Sequence, residues 1–351
     1  MSSTKEVRKA KEVNPLTEGQ TMKVLAYKRY GGPEVYGVEH RSAPVLSEGK
    51  DKEKGDGDIL IRVHYSTVTA TEAVFRRGDM MARLFTGLFR PKMQVLGEEL
   101  AGTVVRSRSE RFKEGDRVFG ITGPEFGAHA QYIVLPDTAV ILPLPDSIAF
   151  ENAIACLDGF LTSLPFLRDV GCLKAGQKIL INGASGSVGS AAVQVARMFG
   201  AEVTAVCSEA NHALVKSIGA DHVIDYHTTD FTESDRQYDV IFDTVGNLCF
   251  GKCKNVLTEN GVLLEAAIDF SVLPAVAFTA LFSKKKVKIA ATGLRPAPEK
   301  LEDLKLILAK MQSGDFKAVI DRVMDAHDIV EAHRYVDTGR KRGNLLVRMA
   351  P

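Results

Sequence analysis

The sequence predicts an α/β protein with a doubly wound parallel sheet, and three observations support this fold class. Residues 178–200 have the pattern of a buried strand, a glycine turn and a helix. After Pro145, strands and helices alternate, which is typical of a parallel sheet covered by helices on both faces. The length of 351 residues exceeds one ordinary domain, so a second domain is expected.

The alternating region begins with a helical segment at 150–167 and continues through the glycine turn. Apolar and β-branched residues predict strands at 179–181, 202–206, 222–224, 240–242 and 261–265. Helices are predicted from Ser187 onward and over 212–218, where Gly219 would end the second helix. This region therefore supplies the strands of the parallel sheet.

The two ends of the chain have a different pattern. Before Pro145, short β-rich segments predict strands at 23–27, 59–63, 102–105, 117–119 and 131–135. After Arg295, two helices and two strands are predicted at 299–311, 316–323, 329–338 and 344–347. This last segment could return to complete the first domain. Residues 1–21 are expected to be a disordered tail, and 47–58 a mobile surface loop.

The overall charge excludes two classes of partner. The formal net charge of +1 predicts no basic surface for nucleic acid or an anionic membrane. One dense basic run at 284–288 is interpreted as a solvated turn. Five cysteines without disulfide-like spacing, and no secretory signal, favour a reducing, cytoplasmic compartment.

Two apolar segments need an interpretation. Residues 266–282 are interrupted by Asp269 and Pro274 and are short for a membrane span, so they are predicted to be a buried strand and helix. This segment could also lie at a subunit interface. Residues 80–93 are apolar and aromatic but contain Gly87 and Pro91. A core helix and a lid or substrate-facing loop are both open for this segment.

The turn GASGSVG at 183–189 has the spacing of a dinucleotide fingerprint, with Ala184 in place of its first glycine. A pyrophosphate needs bare backbone amides, so a side chain at Gly186 would obstruct it. The free N–H groups at the helix start also attract negative charge. A tight packing turn without a ligand is the alternative. The candidate cofactor-binding residues of this turn are Ala184, Ser185, Gly186, Ser187, Val188 and Gly189.

Seven motifs occur in order along the chain. They are LGEELAG at 96–102, FKEGDRV at 112–118, GFLT at 159–162, GASGSVG at 183–189, LVKSIGADHVIDY at 214–226, FDTVG at 242–246 and GNLLV at 343–347. As an ordered set they resemble the zinc-independent branch of the medium-chain dehydrogenase/reductases, the quinone oxidoreductase and zeta-crystallin group. The resemblance covers nearly everything from Met22 to Met349.

The resemblance implies a two-domain architecture with a cleft between the domains. A partly open β-barrel (GroES-like) catalytic domain would comprise 22–145 and 295–351, and a Rossmann dinucleotide-binding domain would comprise 146–294. It also implies hydride transfer from NADPH to a quinone or an α,β-unsaturated carbonyl, and nucleotide domains that pair edge to edge in a homodimer.

The metal-ligand positions of the family contain unusual residues in this sequence. Zinc-dependent relatives place a Cys, a His and a Cys where this chain has Thr69, Glu98 and Asp158. Zinc prefers Cys and His ligands, so these three residues make a poor zinc site. Cys156 lies two residues away from the third position and is interpreted as a small buried hydrophobe. We therefore expect a protein without zinc and assign no metal ligand.

Without a metal to polarise a carbonyl, the acceptor should take up hydride readily by itself, as a quinone or an enone does. Relatives often have an asparagine beside the nicotinamide, in a motif that is VTATE at 68–72 here. Thr69 and Thr71 are therefore the candidate catalytic residues. Thr69 could equally be a strand-end residue that only satisfies backbone groups. The resemblance also implies that some relatives carry a tyrosine in the following loop as proton donor; residues 73–93 contain none here, so solvent is the expected proton source.

The end of the second strand of the parallel sheet sets the expected cofactor. An NAD enzyme usually has an acidic residue there, whereas this chain has Cys207. Ser208, Asn211 and Tyr226 could surround a 2′-phosphate, although no basic residue accompanies them. NADPH is the expected cofactor, and use of NADH stays open. The remaining expected cofactor contacts are Thr162 for the nicotinamide carboxamide, Val245 and Asn344.

Two alternatives to a quinone or enone oxidoreductase stay open. An enoyl or enone double-bond reductase would need a positioned acid near the nicotinamide to control protonation at carbon. A nucleotide-binding module with little turnover would have the same fold, because fold alone does not imply activity. For Thr162, a hydroxyl bonded to its own helix backbone is the alternative to a cofactor contact.

Overall fold

The computed structural model describes residues 19–46, 57–267 and 270–349. The predicted tail and the predicted surface loop therefore lie mostly outside the described residues. Thr21 and Asp58, the last residues of these two predictions, each begin a strand, so both predicted boundaries are one residue too long. All five cysteines carry free thiols.

The first part of the chain folds into antiparallel strands with two short helices. The elements are β1 (Thr21–Tyr27), β2 (Tyr36–Ser42), β3 (Asp58–Thr67), α1 (Ala70–Arg77), α2 (Met80–Thr86), β4 (Glu99–Ser107), β5 (Arg117–Ile121), β6 (Tyr132–Pro136) and β7 (Val140–Pro143). The five predicted strands are confirmed, and β2 and β7 are additional. Strand β3 is the longest because it pairs with β4 along one edge and with β6 along the other.

The middle of the chain folds into the predicted parallel sheet. Its elements are α3 (Phe150–Ile154), α4 (Leu157–Pro165), β8 (Lys178–Asn182), α5 (Ser187–Met198), β9 (Glu202–Cys207), α6 (His212–Ser217), β10 (His222–Asp225), β11 (Tyr238–Asp243), α7 (Phe250–Cys253), β12 (Leu257–Glu265), α8 (Leu273–Phe282) and β13 (Lys286–Ile289). The strand order is β10-β9-β8-β11-β12-β13, with every pair parallel. The order reverses between β8 and β11, which makes the sheet doubly wound.

The end of the chain returns to the first sheet. It comprises α9 (Ala297–Ser313), β14 (Ile320–Asp325), α10 (Ile329–Asp337) and β15 (Asn344–Arg348). Strand β15 pairs antiparallel with β3, so the seven-stranded sheet has the order β14-β15-β3-β4-β5-β7, with β6 on β3. The predicted strand at 316–323 begins later, at Ile320, because Phe316 and Val319 are buried in a non-strand segment.

One hydrophobic core joins the two sheets. Phe119 and Leu142 of the antiparallel sheet belong to the same buried cluster as Ile181 and Phe242 of the parallel sheet. The cluster continues through α4, where Phe160 is fully buried. The two sheets are therefore packed into a single body, and the cleft between the domains stays an expectation from the family resemblance.

Two sequence predictions are wrong. The basic run at 284–288 is not a solvated turn, because β13 begins within it and Val287 is buried. Helix α8 is not buried, since Leu281 and Phe282 are 77% and 74% exposed. Both elements lie at the edge of the parallel sheet, where protein covers only one side. Over the described residues, no helix is long and apolar enough to cross a membrane.

Candidate active site

The fingerprint turn lies where the strand order of the parallel sheet reverses. Gly183, directly after β8, has a positive φ of +78°, and an added Cβ would lie 2.6 Å from a methyl group of Val245. The backbone N–H groups of Gly183 and Ala184 donate to the Val206 carbonyl, at 3.1 and 3.0 Å. These bonds fix the turn against the end of β9. In open α/β sheets, ligands bind outside the carboxyl ends of the strands at this reversal.

The start of helix α5 is open. Gly186 is its N-cap residue, and no side chain caps the first turn. An added Cβ on Gly186 would approach one atom, the Gly183 carbonyl oxygen at 3.5 Å. An added Cβ on Gly189 would instead lie 2.8 Å from Cα of Ala184 and closer still to the Gly183 oxygen. Gly189 therefore permits close packing, and Gly186 leaves space that a pyrophosphate requires.

Ser187 connects the turn with two distant parts of the chain. Its hydroxyl lies 2.6 Å from the Asp158 carboxylate on α4 and 2.6 Å from Oδ1 of Asn344 on β15. The Asn344 amide also donates to the Val319 carbonyl at 3.1 Å. These bonds give Asn344 a role in holding the turn; direct contact with a cofactor stays a prediction. Val188, next along α5, is partly buried.

Helix α4 packs tightly against α5. An added Cβ on Gly159 would lie 2.7 Å from Cβ of Ala191, so only glycine permits this approach. Asp158 and Thr162 are four residues apart and share one face of α4. Within the described part of the chain, no protein group hydrogen-bonds to the partly exposed Thr162 hydroxyl. The structure therefore does not show the alternative to a cofactor contact, which is a hydrogen bond from the Thr162 hydroxyl to the backbone of its own helix.

The predicted 2′-phosphate corner contains neutral side chains and one carboxylate. The side-chain amide of Asn211 donates to the hydroxyls of Ser185, at 3.1 Å, and Ser208, at 3.2 Å. Its buried carbonyl oxygen has no hydrogen-bond partner among the residues that the structure describes. Tyr226 is 59% exposed. Sequence reasoning missed Asp225, which pairs in register with Cys207 at the end of the neighbouring strand.

Asp225 changes the electrostatics of this corner. Burial raises the pKa of the Cys207 thiol to about 11, and the Asp225 carboxylate adds to the rise. His227 offsets the carboxylate, since its backbone N–H and its ring bond to Asp225 at 3.0 and 2.9 Å. The motif VIDY contains this acid, but only the strand register places it beside Cys207.

The two candidate catalytic threonines have different surroundings. Thr69 is the N-cap residue of α1, and its hydroxyl oxygen accepts the backbone N–H of Glu72 at 3.2 Å. This is the backbone-satisfying role that the sequence left open, although the hydroxyl can still donate one hydrogen bond. Thr71 is exposed on the first turn of α1. A catalytic role for either residue stays a prediction.

Glu72 joins two segments beside the cleft. Its carboxylate accepts the N–H of Thr69 at 3.0 Å and the N–H of Gly97 at 2.9 Å. His129 lies 3.7 Å away. Burial raises the pKa of Glu72, and the charge of His129 and these backbone bonds oppose the rise. Glu98, directly after Gly97, is thereby held close to Thr69.

The family's three metal-ligand positions lack the donor atoms that zinc prefers, and a protein without zinc stays a prediction. Thr69, Glu98 and Asp158 offer a hydroxyl and two carboxylates, which is not the His and Cys set that zinc prefers. In the parts of the chain that the structure describes, the one group of three potential ligands that is close enough to share an ion is Asp325, His327 and Asp328, on another part of the fold.

The apolar segment 80–93 is not a core helix. Helix α2 and the residues after it leave Phe85 60% and Phe89 86% exposed. The segment is anchored at Tyr30, whose hydroxyl lies 2.8 Å from that of Thr86 and whose ring is covered by Arg83. The core-helix interpretation is therefore wrong, and a lid or substrate-facing role for this segment stays a prediction.

Comparisons with known proteins identify the family. The alcohol dehydrogenase GroES-like domain matches residues 55–146, and a zinc-binding dehydrogenase domain matches residues 218–347. Quinone-oxidoreductase QR1 of Triphysaria versicolor, described as chloroplastic, is 29% identical over 340 residues, which cover 94% of this chain and 99% of that protein. The chain belongs to the medium-chain dehydrogenase/reductases, in their quinone oxidoreductase group.

A further relative and a solved structure are similar to this chain over nearly its whole length. The 2-methylene-furan-3-one reductase of Solanum lycopersicum is 28% identical over 367 residues, covering 100% of this chain and 85% of that protein. The structure of the quinone oxidoreductase from Coxiella burnetii has a TM-score of 0.82 at 23% identity, covering 94% of this chain and 100% of that chain. The GroES-like and Rossmann-like fold is therefore confirmed, and the family implies an oxidoreductase that uses NADH or NADPH.

Proposed function

We propose that this medium-chain reductase transfers a hydride from NADPH to a quinone or an α,β-unsaturated carbonyl without a metal ion. The observation that carries the proposal is the open, uncapped start of α5 at Gly186, where Ser187 bonds the Asp158 carboxylate one helical turn from Thr162. The family's use of a reduced nicotinamide supports it.

The residues at the turn fit a dinucleotide. The backbone N–H groups at the start of α5, from Ser187 and Val188, would bind the pyrophosphate, since no side chain caps them. The unpartnered Thr162 hydroxyl would hold the carboxamide, and Val245 would flank the turn. A bound reduced nicotinamide supplies the hydride. The chain itself contributes binding, orientation and exclusion of water.

The choice of NADPH over NADH rests on Cys207, which leaves room at the 2′ position. Ser208, Asn211 and Tyr226 are the proposed partners of the phosphate. The carboxylate of Asp225 opposes a phosphate, and the His227 ring paired with it reduces this repulsion. We therefore propose NADPH as the preferred cofactor with NADH also accepted.

A metal-free reaction is proposed from the donor set at Thr69, Glu98 and Asp158. The matched zinc-binding dehydrogenase segment, 218–347, contains none of these three positions, so its description does not bear on them. Elemental analysis of the purified protein should find no stoichiometric zinc, and a chelator should leave turnover unchanged. Stoichiometric zinc that is lost together with activity would contradict a metal-free site.

The acceptor class is proposed from the chemistry and the relatives. Quinones and enones accept hydride without a Lewis acid, because the negative charge delocalises onto oxygen. The names of two relatives specify these two kinds of compound: a quinone oxidoreductase, and the reductase of a ketone conjugated to a methylene group. A homodimer in the cytoplasm is part of the same proposal, with α8 as the exposed apolar element at the sheet edge.

The test combines binding with turnover. Calorimetry with NADPH and NADH measures binding, and absorbance of the reduced nicotinamide measures its oxidation with a panel of quinones and enones. We expect tighter binding of NADPH and oxidation with members of both acceptor classes. Failure to bind either nucleotide would refute the cofactor site. Binding without oxidation by any acceptor would favour the nucleotide-binding module.

A further inference from the structure

Among the four described carboxyl groups of Glu72, Glu98, Glu99 and Asp158, that of Glu98 alone has no hydrogen-bond partner. Nearby Glu72 accepts two backbone N–H groups, Glu99 accepts the Thr67 hydroxyl, and Asp158 accepts the Ser187 hydroxyl. In the described part of the chain, no hydrogen bond or ion pair engages the Glu98 carboxyl group. It is partly buried, so solvent can reach it but does not surround it.

The backbone around Glu98 places it beside Thr69, one of the two candidate catalytic residues. The Glu72 carboxylate accepts hydrogen bonds from both the Gly97 N–H, at 2.9 Å, and the Thr69 N–H, at 3.0 Å. The N–H of Thr122 bonds the Glu98 carbonyl at 2.8 Å and fixes the start of β4 from the other side. Glu98 therefore stands on a rigid strand end beside Thr69, where zinc-dependent relatives place a metal ligand.

The charges that face Glu98 come from several elements. Burial raises the pKa of Glu98 to about 7; Lys300 of α9 opposes the rise, and Asp158 of α4 and Glu72 of α1 add to it. Lys341, before β15, faces Asp158, Glu72 and Glu99, and its ammonium bonds the Val68 carbonyl at 3.3 Å. The adjacent Glu99 carboxyl group also faces Glu98: burial raises the pKa of Glu99, and the charges of Asp158 and Glu98 add to this rise.

We propose that the Glu98 carboxyl group is the proton donor that completes reduction of an α,β-unsaturated carbonyl in this cleft. The inference rests on the proposed function and replaces solvent, the proton source expected from the sequence. It also gives the double-bond reductase alternative the positioned acid that it requires.

The proton and electron balance of the step is simple. The β-carbon of the substrate gains a hydride with its electron pair from the reduced nicotinamide, which is thereby oxidised. The resulting enolate takes the proton at its α-carbon: the O–H bond of Glu98 breaks, its electron pair stays on the carboxylate, and a C–H bond forms. Solvent then reprotonates Glu98. A quinone is protonated on oxygen, which solvent does readily, so it depends less on Glu98.

The variant Glu98→Gln tests the proposal, because it keeps the shape and removes the titratable proton. General acids contribute roughly 100-fold or more, so kcat for enones should fall by about that factor, with KM and NADPH affinity little changed. Quinone turnover should fall by less than about 10-fold if solvent replaces the acid. The exposed Glu114→Gln variant is the matched control and should behave as the parent.

The pH profile has a defined sign. Since the protonated acid is the active form, enone kcat of the parent should decline as the pH rises through about 7. Glu98→Gln should lose this decline. Asp158→Asn removes a negative charge that favours protonation, so the decline should move to lower pH.

A second measurement needs no turnover. In infrared difference spectra of the cofactor-free protein, the parent should lose a protonated-carboxyl band as the pH is raised through 7, and Glu98→Gln should lack that change. A Glu98 that ionises in the ordinary range of carboxylates would overturn the proposal. Unchanged enone kinetics in Glu98→Gln would do so while leaving the proposed function intact. A parent that binds NADPH but reduces no acceptor would refute the proposed function and, with it, this role.

Discussion

The two glycines of the fingerprint turn can be separated by mutation. Gly189→Ala adds a methyl group that would lie 2.8 Å from Cα of Ala184 and closer to the Gly183 oxygen. Because both neighbours are backbone atoms, helix α5 must withdraw from β8. Gly186→Ala adds the same methyl group in open space, at φ −76° and ψ −177°, which any residue adopts.

The structure gives opposite expectations for stability and binding. Overpacking at Gly189 should cost about 1–3 kcal/mol. For a domain of this size, that corresponds to a fall in Tm of roughly 2–12 °C. In Gly186→Ala, alanine is a poorer N-cap residue than glycine, which destabilises the folded protein, but it also reduces the conformational freedom of the unfolded chain, which stabilises it. These two effects nearly cancel, so the free energy of unfolding should change by less than about 1 kcal/mol. NADPH affinity, by contrast, should fall at least about tenfold in Gly186→Ala, or ~1.4 kcal/mol.

Thermal unfolding by circular dichroism and titration calorimetry with NADPH measure the two effects on the same samples. The pair serves as its own control, since each variant adds one methyl group to one turn. A Gly189→Ala protein with the parent's Tm would refute the packing argument. A Gly186→Ala protein with the parent's NADPH affinity would refute the placement of the pyrophosphate.

Further predictions concern charge, assembly and cofactor choice. Arg76 is fully buried and bonds the Asp337 carboxylate at 2.6 Å, so Asp337→Ala should lower the free energy of unfolding in urea by about 3 kcal/mol or more. Burial lowers the pKa of His64 to about 4, so on acidification this histidine takes up a proton in the unfolded chain before it does in the folded protein. The urea concentration at the unfolding midpoint should therefore fall as the pH drops from about 6.5 toward 4, and it should fall less steeply in the variant His64→Gln. Light scattering at micromolar concentration should report a dimer that Phe282→Asp converts to monomers; a monomeric parent would refute this interface. Ala210→Arg should tighten NADPH binding about tenfold and leave NADH unchanged, because it adds a charge-assisted bond to the 2′-phosphate.

The nucleotide half of the fold was predictable because its signals are local. A run such as Ile179-Leu180-Ile181 followed by a glycine turn specifies strand, turn and helix within a few residues. Strand β13 was missed because a run of lysines is typical of a solvated turn. Lysine is also common on edge strands, where its charge prevents pairing with the strands of other molecules. Helix α8 was misjudged because composition alone does not say whether an apolar segment has a neighbour to cover it.

The types of residue at the candidate site could be predicted from the sequence, but the strand pairings and hydrogen bonds that bring them together could not. The glycine turn was found from a local pattern, and Thr69 and Thr162 were found through the family resemblance. Asp225 reaches the cofactor corner through strand register, and Glu98 is left unpartnered because its neighbours bond to Thr67 and to backbone amides. Such relations depend on pairings between residues far apart in the chain, which a single sequence does not reveal.

The bond between Ser187 and Asn344 spans 157 residues, and Gly343 closes the same turn through the Ser185 carbonyl at 2.8 Å. During synthesis, the parallel sheet emerges long before β15 does. The nucleotide cradle therefore acquires its final shape only after β15 has left the ribosome and paired with β3, which makes competence for the cofactor depend on the returning strand.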